Sequence, residues 1–253
     1  MPAMALETYK SAPQMTRSRR FQTTHWSIVA AAGAPTSAES RAALAVLCEA
    51  YWYPLYAYLR HRGYSVDSAE ELTQAFFAML IESKTLKNAD PSLGRFRSYL
   101  LGALKHFLGT QSQQAKAAKR GGGRRVISLD TADAENRLHK ELIDDRSPER
   151  VFDRQWALTV LNLALARLQE QFQHEGKAHL FAELHRYLTA DDSELKYRQL
   201  SAELKMSEGA IKVAVHRMRA RYRHLVRQQV ARTVASPREV DDEIRRLFIA
   251  LRA

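Results

Sequence analysis

Cysteine is nearly absent from this chain of 253 residues: Cys48 stands alone. An internal disulfide is therefore excluded, and so is a zinc site built from clustered cysteines. Disulfide-dependent secreted scaffolds are set aside, and an intracellular, reducing, cytoplasmic setting is the expectation. Glycine (10) and proline (7) are also sparse, which argues against β-rich, collagenous and low-complexity architectures. No apolar run reaches the roughly 18 residues that a membrane span needs, so no span is expected. The first twenty residues carry no long apolar segment of the signal-peptide kind. Acidic residues are outnumbered as well. Lys and Arg total 39 against 28 Asp and Glu, a net charge of +11, so a polyanionic partner is expected.

Catalytic signals are missing too. His174, Glu175 and His179 lack the spacing of a helical metalloprotease site. Gly121-Gly122-Gly123 has no strand before it and no helix signal after it, so it is not a phosphate loop. The remaining histidines are scattered, and Cys48 sits on an apolar helix face. Neither an enzyme nor a metal or cofactor site is expected.

What is present is helical periodicity. Leu44, Leu47, Cys48, Tyr51, Trp52, Leu55 and Leu59 recur at three- and four-residue steps, and Gly63 stops that helix. A second helix begins near Asp67, with Asp67, Ser68, Glu70 and Glu71 in its first turn and Leu72, Ala75, Phe76, Met79 and Leu80 on its apolar face. Phe77 falls off that face, which predicts an exposed aromatic beside acids. After a loop over 88–94, a third helix carries Phe96, Tyr99, Leu100, Ala103 and Phe107, then turns polar and basic. The glycine triplet breaks the pattern, and 121–148 reads as a charged linker with a short extended segment over 126–129.

The helical period resumes at Glu149. Phe152, Trp156, Leu158, Val160, Leu161, Leu163, Leu165 and Leu168 make a helix apolar on several sides, which predicts deep packing. Leu180, Phe181, Leu184 and Leu188 mark a shorter helix, and Asp191-Asp192-Ser193 a turn. The fold class is all-α: two helical domains joined by a flexible linker. The expected divisions are an N-terminal extension (1–39), a first domain (40–120), the linker (121–148), a second domain (149–233) and a C-terminal amphipathic extension (234–253).

The stretch from Lys196 to Arg232 is the most specific. A short helix to Leu204, a tight turn at Lys205-Met206-Ser207 and a long helix from Glu208 make a helix-turn-helix. Ser207 is placed to cap the second helix, and the small Gly209 and Ala210 let its start approach DNA closely. In such units the first turns of the second helix meet base edges, here Ser207, Glu208, Gly209, Lys212, Val213 and His216. Arg217, Arg219, Arg221, Arg223, Arg227 and Arg232 follow, with Glu208 the only acid on the helix. The third helix joins Phe96, Tyr99, His106 and Phe107 to Lys105, Lys116, Lys119 and Arg120. Aromatics can stack on unpaired bases while cations follow a backbone; core aromatics with a solvated basic end explain the pattern equally well.

In this order the pieces resemble bacterial RNA polymerase sigma factors of the extracytoplasmic-function type. Leu44 to Leu59 is similar to the opening helix of that family's N-terminal domain. Asp67-Ser-Ala-Glu-Glu-Leu-Thr-Gln-Ala-Phe-Phe resembles the family's polymerase-clamp motif D-A-E-D-L-x-Q-E-x-F. Phe96-Arg-Ser-Tyr-Leu-Leu-Gly-Ala-Leu-Lys-His-Phe-Leu resembles its minus-ten motif F-R-x-W-L-x-x-I-A-R-N-x-L. Tyr197 to Arg223 resembles its minus-thirty-five reader. Ala75 departs from the usual Glu, His106 from Asn, and Val213-Ala214-Val215 from a more polar stretch. The resemblance implies core polymerase and promoter DNA as partners. It assigns polymerase contact to Asp67, Glu70, Glu71, Leu72, Gln74 and Phe77. Minus-ten contact falls to Arg97, Lys105, His106, Gln113, Lys116, Lys119 and Arg120, and minus-thirty-five contact to Ser207, Glu208, Gly209, Lys212, Val213, His216, Arg217 and Arg219. An anti-sigma factor joins the implied partners. Thr73, among acids and beside Ala75, is a phosphorylation candidate that would bring in a Ser/Thr kinase. Two other readings remain open from the residues alone: a stand-alone helix-turn-helix regulator and an RNA-binding antiterminator.

Overall fold

The computed structural model describes residues 38–82, 95–118, 147–188, 197–234 and 236–252. These residues are predominantly helical and contain no strand, so the described fold is all-α. The helices are α1 (Ala38–His61), α2 (Val66–Glu82), α3 (Phe96–Ala118), α4 (Pro148–His174), α5 (Ala178–Leu184), α6 (Tyr197–Leu204), α7 (Glu208–Thr233) and α8 (Val240–Arg252). Short 3-10 turns follow α5 (His185–Tyr187) and precede α8 (Pro237–Glu239). The N-terminal extension through residue 37, the loop over 88–94, the charged linker through residue 146 with its glycine triplet and extended segment, and Asp191-Asp192-Ser193 lie outside the described residues.

Local chemistry explains the boundaries. At the end of α1, Gly63 takes a φ of 87°, and Tyr64 N–H donates back to the Leu59 carbonyl at 3.2 Å. This is a glycine stop of the Schellman kind, as the sequence predicts. The same device ends α4: Gly176 has a φ of 70°, and Lys177 N–H donates to the Phe172 carbonyl at 2.8 Å. α2 starts at Val66, one residue before the sequence expectation, because the Ser65 hydroxyl accepts from Ser68 N–H at 3.2 Å. Ser147 caps α4 in the same way, with Pro148 in the first turn, where the missing N–H costs nothing.

α4 is the central element. Val151, Phe152, Trp156, Ala157, Val160, Ala164, Leu168 and Phe172 are buried along its length, as the multi-sided apolar pattern requires. α1 packs along it most extensively, and α7, α8 and α5 cover its other sides. α2 and α3 close the N-terminal half through aromatic contacts. Phe96 meets the Tyr51 ring edge-on at 5.4 Å between centroids, and Phe76 meets Phe107 at 5.8 Å. Buried side chains from both sides of the 121–148 division thus belong to one continuous cluster. The C-terminal amphipathic segment also finds its place. α8 buries Val240, Glu243 and Leu247 and leaves Phe248 and Ile249 outward.

Candidate nucleic-acid interface

α6 and α7 meet at a turn whose geometry is over-determined. Lys205 adopts a φ of 51°, the left-handed region that a side chain rarely occupies. Met206 N–H donates to the Ser201 carbonyl, and the Ser201 hydroxyl donates to the Met206 carbonyl at 2.5 Å. The Ser207 hydroxyl then accepts from Ala210 N–H at 3.2 Å and caps α7. Ile211, Val215 and Met218 turn inward with Leu200 of α6. That inward stripe fixes the opposite face, where Glu208, Gly209, Lys212, Val213, His216 and Arg217 are exposed at helical spacing. A Cβ on Gly209 would meet nothing within 4 Å, so the start of α7 is open to a large partner.

The charges on this face are only partly engaged. Lys212 Nζ lies 5.0 Å above the Tyr197 ring, a contact that leaves its donors available. Arg221 pairs with Glu175 at 2.7 Å and covers the Phe172 ring. The Lys177 and Arg221 side chains donate to Glu175 and hold its carboxyl below the usual Glu range. Beside these groups lies an open groove of about 450 Å³, lined by Phe172, Leu180, Met206, Val213, Ala214 and Arg217 among others. Arg219 departs from the expectation for DNA contact. Its Nε donates to the Tyr187 carbonyl at 3.1 Å, tying α7 to the 3-10 turn, so it braces the face instead of facing outward. Arg223 and His224, beyond the residues expected to meet base edges, are exposed one turn further on.

α3 presents less than its sequence suggests. Phe96 and Phe107 are core side chains, so the aromatics of this helix act mainly in packing. Arg97 is corrected most sharply: it is 6 % exposed, and its guanidinium lies 4.3 Å from the Trp156 ring centroid. It also faces Glu243 at 3.3 Å and Asp153 at 3.5 Å. Lys105 is exposed but bonded to Glu149 at 2.9 Å. His106 and Gln113 are exposed. His106 lines an apolar groove of about 660 Å³ with Met79, Tyr99 and Thr110. Lys116 lies within α3, while its side chain, Lys119 and Arg120 lie outside what is described.

α2 divides the polymerase-contact set in two. Asp67 and Glu71 are exposed, and Leu72 and Gln74 are half-buried. Glu70 and Phe77 are buried, at 5 % and 6 % exposure, so the exposed aromatic inferred from periodicity is a core residue. Its ring packs edge-on against Phe76. Thr73 is fully buried and its hydroxyl donates to the Ala69 carbonyl at 2.6 Å, so no kinase reaches it in this fold. Among the described residues no cluster of three or more metal-ligating side chains occurs, and no helix is long and apolar enough to cross a membrane. Comparison with protein-family models, curated proteins and solved structures returns no match.

Proposed function

We propose that the protein is a transcription initiation factor of the sigma type, with α6 and α7 as a helix-turn-helix that reads duplex DNA. One observation carries the reading. Gly209, Lys212, Val213, His216 and Arg217 share the exposed face of α7's first turns, directly after a capped tight turn. That face is cationic, opens on a small residue and stands opposite a buried apolar stripe. Arg223, exposed further along α7, extends the positive surface toward phosphates. In this reading α1 to α3 form a polymerase- and minus-ten-binding unit and α4 to α7 a minus-thirty-five-binding unit, in the cytoplasm. Asp67, Glu71, Leu72 and Gln74 are the α2 groups left for polymerase, and His106 and Gln113 those of α3 for unpaired bases. The α2–α3 core leaves Phe77 and Glu70 no direct part.

The test is run-off transcription from a genomic promoter library with purified core polymerase. Initiation that depends on the protein supports the reading, and its complete absence overturns it. Lys212→Ala should weaken promoter-complex formation by roughly 1–3 kcal/mol, the size of one good base-edge contact. Unchanged affinity by electrophoretic mobility shift would remove Lys212 from the interface.

A second reading is favoured by one specific observation. The α7 face is exposed while Arg97 of α3 is buried, so this conformation offers duplex recognition without strand opening. A stand-alone helix-turn-helix regulator would bind duplex DNA tightly in the absence of polymerase. A sigma factor would need polymerase to do so.

A further inference from the structure

Glu243 is the one charged side chain that α8 turns inward, and it is 0 % exposed. Its Oε2 lies 2.6 Å from Arg95 Nε, and its Oε1 3.3 Å from Arg97 Nε. Arg95 directly precedes α3 and Arg97 lies in its first turn, both far away in sequence. Asp153 of α4 also faces Arg97, at 3.5 Å from Nη1, and the Trp156 ring lies against its guanidinium. Three further ties hold α8 in place. Arg227 of α7 pairs with Asp241, Arg154 of α4 donates to the Leu251 carbonyl at 2.6 Å, and Val240 and Leu247 enter the core. α8 therefore bridges the helix expected to meet nucleic acid and the helices that carry the duplex-reading face.

The contact is close but imperfect. Neither Glu243 oxygen accepts a well-directed hydrogen bond, and Arg95 Nε and Arg97 Nη1 also lack directed partners. Burial pushes the Glu243 carboxyl above the ordinary Glu range, against the pull of Arg97 and Arg95. Buried ion pairs of this kind add little net stability, because desolvation offsets attraction. They still discriminate strongly between arrangements, since a lone buried charge is costly. α8 is a short terminal element of 13 residues, held by this cluster, two polar ties and a narrow apolar stripe, and elements of this kind open locally more readily than a central helix.

We propose that α8 is an internal latch: Glu243 holds Arg95 and Arg97, and with them the start of α3, against α4, and withholds these cations from nucleic acid until α8 is displaced. The latch rests on the reading of α3 as a nucleic-acid-contacting helix. Closure lowers the population able to bind, and the apparent affinity falls by that fraction.

The experiment uses the full chain with Glu243→Lys, which places a third cation beside the two arginines. Asp242→Lys makes the same charge change one residue away on the exposed face and controls for added positive charge. Amide hydrogen exchange over 96–104 is measured together with affinity for a fluorescein-labelled mixed-sequence single-stranded DNA. Glu243→Lys should speed exchange in that segment and tighten binding about tenfold beyond the control, as expected when a competent state rises from about 10 % to near full population. Unchanged exchange would overturn the latch. Faster exchange with no affinity gain over Asp242→Lys would overturn its role as a competitor for nucleic acid. Exchange is read without polymerase, so failure of the sigma reading in run-off transcription is a separate outcome. Should circular dichroism show that Glu243→Lys does not fold, Asp153→Asn is the milder variant, because Asp153 is 45 % exposed. It should move both readouts in the same direction by less, and no movement in either would overturn the latch.

Discussion

Buried polar side chains carry the strongest residue-level consequences. Thr73 has no exposed surface, and its hydroxyl is committed to the Ala69 carbonyl one turn back. A charge introduced there must be desolvated or must force α2 away from the core. Thr73→Asp should therefore destabilise the fold by about 2–4 kcal/mol, measured as a shift in the urea midpoint. A stability loss below about 0.5 kcal/mol would mean that the site opens readily and restore it as a modification candidate. Lys205 makes the opposite case. It occupies the left-handed region at a φ of 51°, where an L side chain costs about 1–2 kcal/mol that glycine avoids. Part of the gain from Lys205→Gly is returned as unfolded-chain entropy. The variant should be more stable by up to about 1 kcal/mol in thermal denaturation. The turn itself was visible in Lys205-Met206-Ser207. The backbone strain was not, because nothing in a lysine announces a positive φ.

Among the elements, α7 was the most legible. A capping serine, small residues in the first turn and an apolar stripe at Ile211, Val215 and Met218 set which face turns outward. α3 was the least legible, because its cations meet acids from other helices. Lys105 illustrates this with Glu149, the first-turn acid of α4. The Lys105 hydrogen bond holds the Glu149 carboxyl below the ordinary Glu range. A depressed carboxylate contributes stability above its unfolded value and loses it as pH falls through the folded one. Both side chains are nearly half exposed, so solvent screens the pair. A double-mutant cycle of Lys105→Met and Glu149→Gln should give a coupling of about 0.2–0.5 kcal/mol at neutral pH. The coupling should vanish below the ordinary Glu range. A coupling that persists in acid would show that the contact is not ionic.

Over the whole molecule, the packing of α1 along α4 means that the N-terminal helices do not carry a separate core. Trp52 of α1 lies against the shared core and Trp156 of α4 is buried within it. In a Trp26→Phe background, which leaves these two, tryptophan fluorescence reports on the junction, while far-UV circular dichroism reports on all helices. The two signals should follow one coincident transition in urea. Loss of fluorescence at lower urea than loss of ellipticity would show that the halves part before either unfolds.

The sequence by itself determined the all-α class, most helix spans, the Gly63 stop, the Ser207 cap and the cationic outer face of α7. Each depends on residues within one or two helical turns, and local chemistry suffices for such features. Tertiary structure decided the rest. Periodicity ranks the faces of a helix but does not say what covers the second-ranked face, so Phe77 and Glu70 turned inward on α2. Arg97 and Glu243 lie 146 positions apart, and no spacing rule relates them. A buried cation and an exposed one look alike in sequence, because the difference lies in the distant carboxylate and ring that meet it.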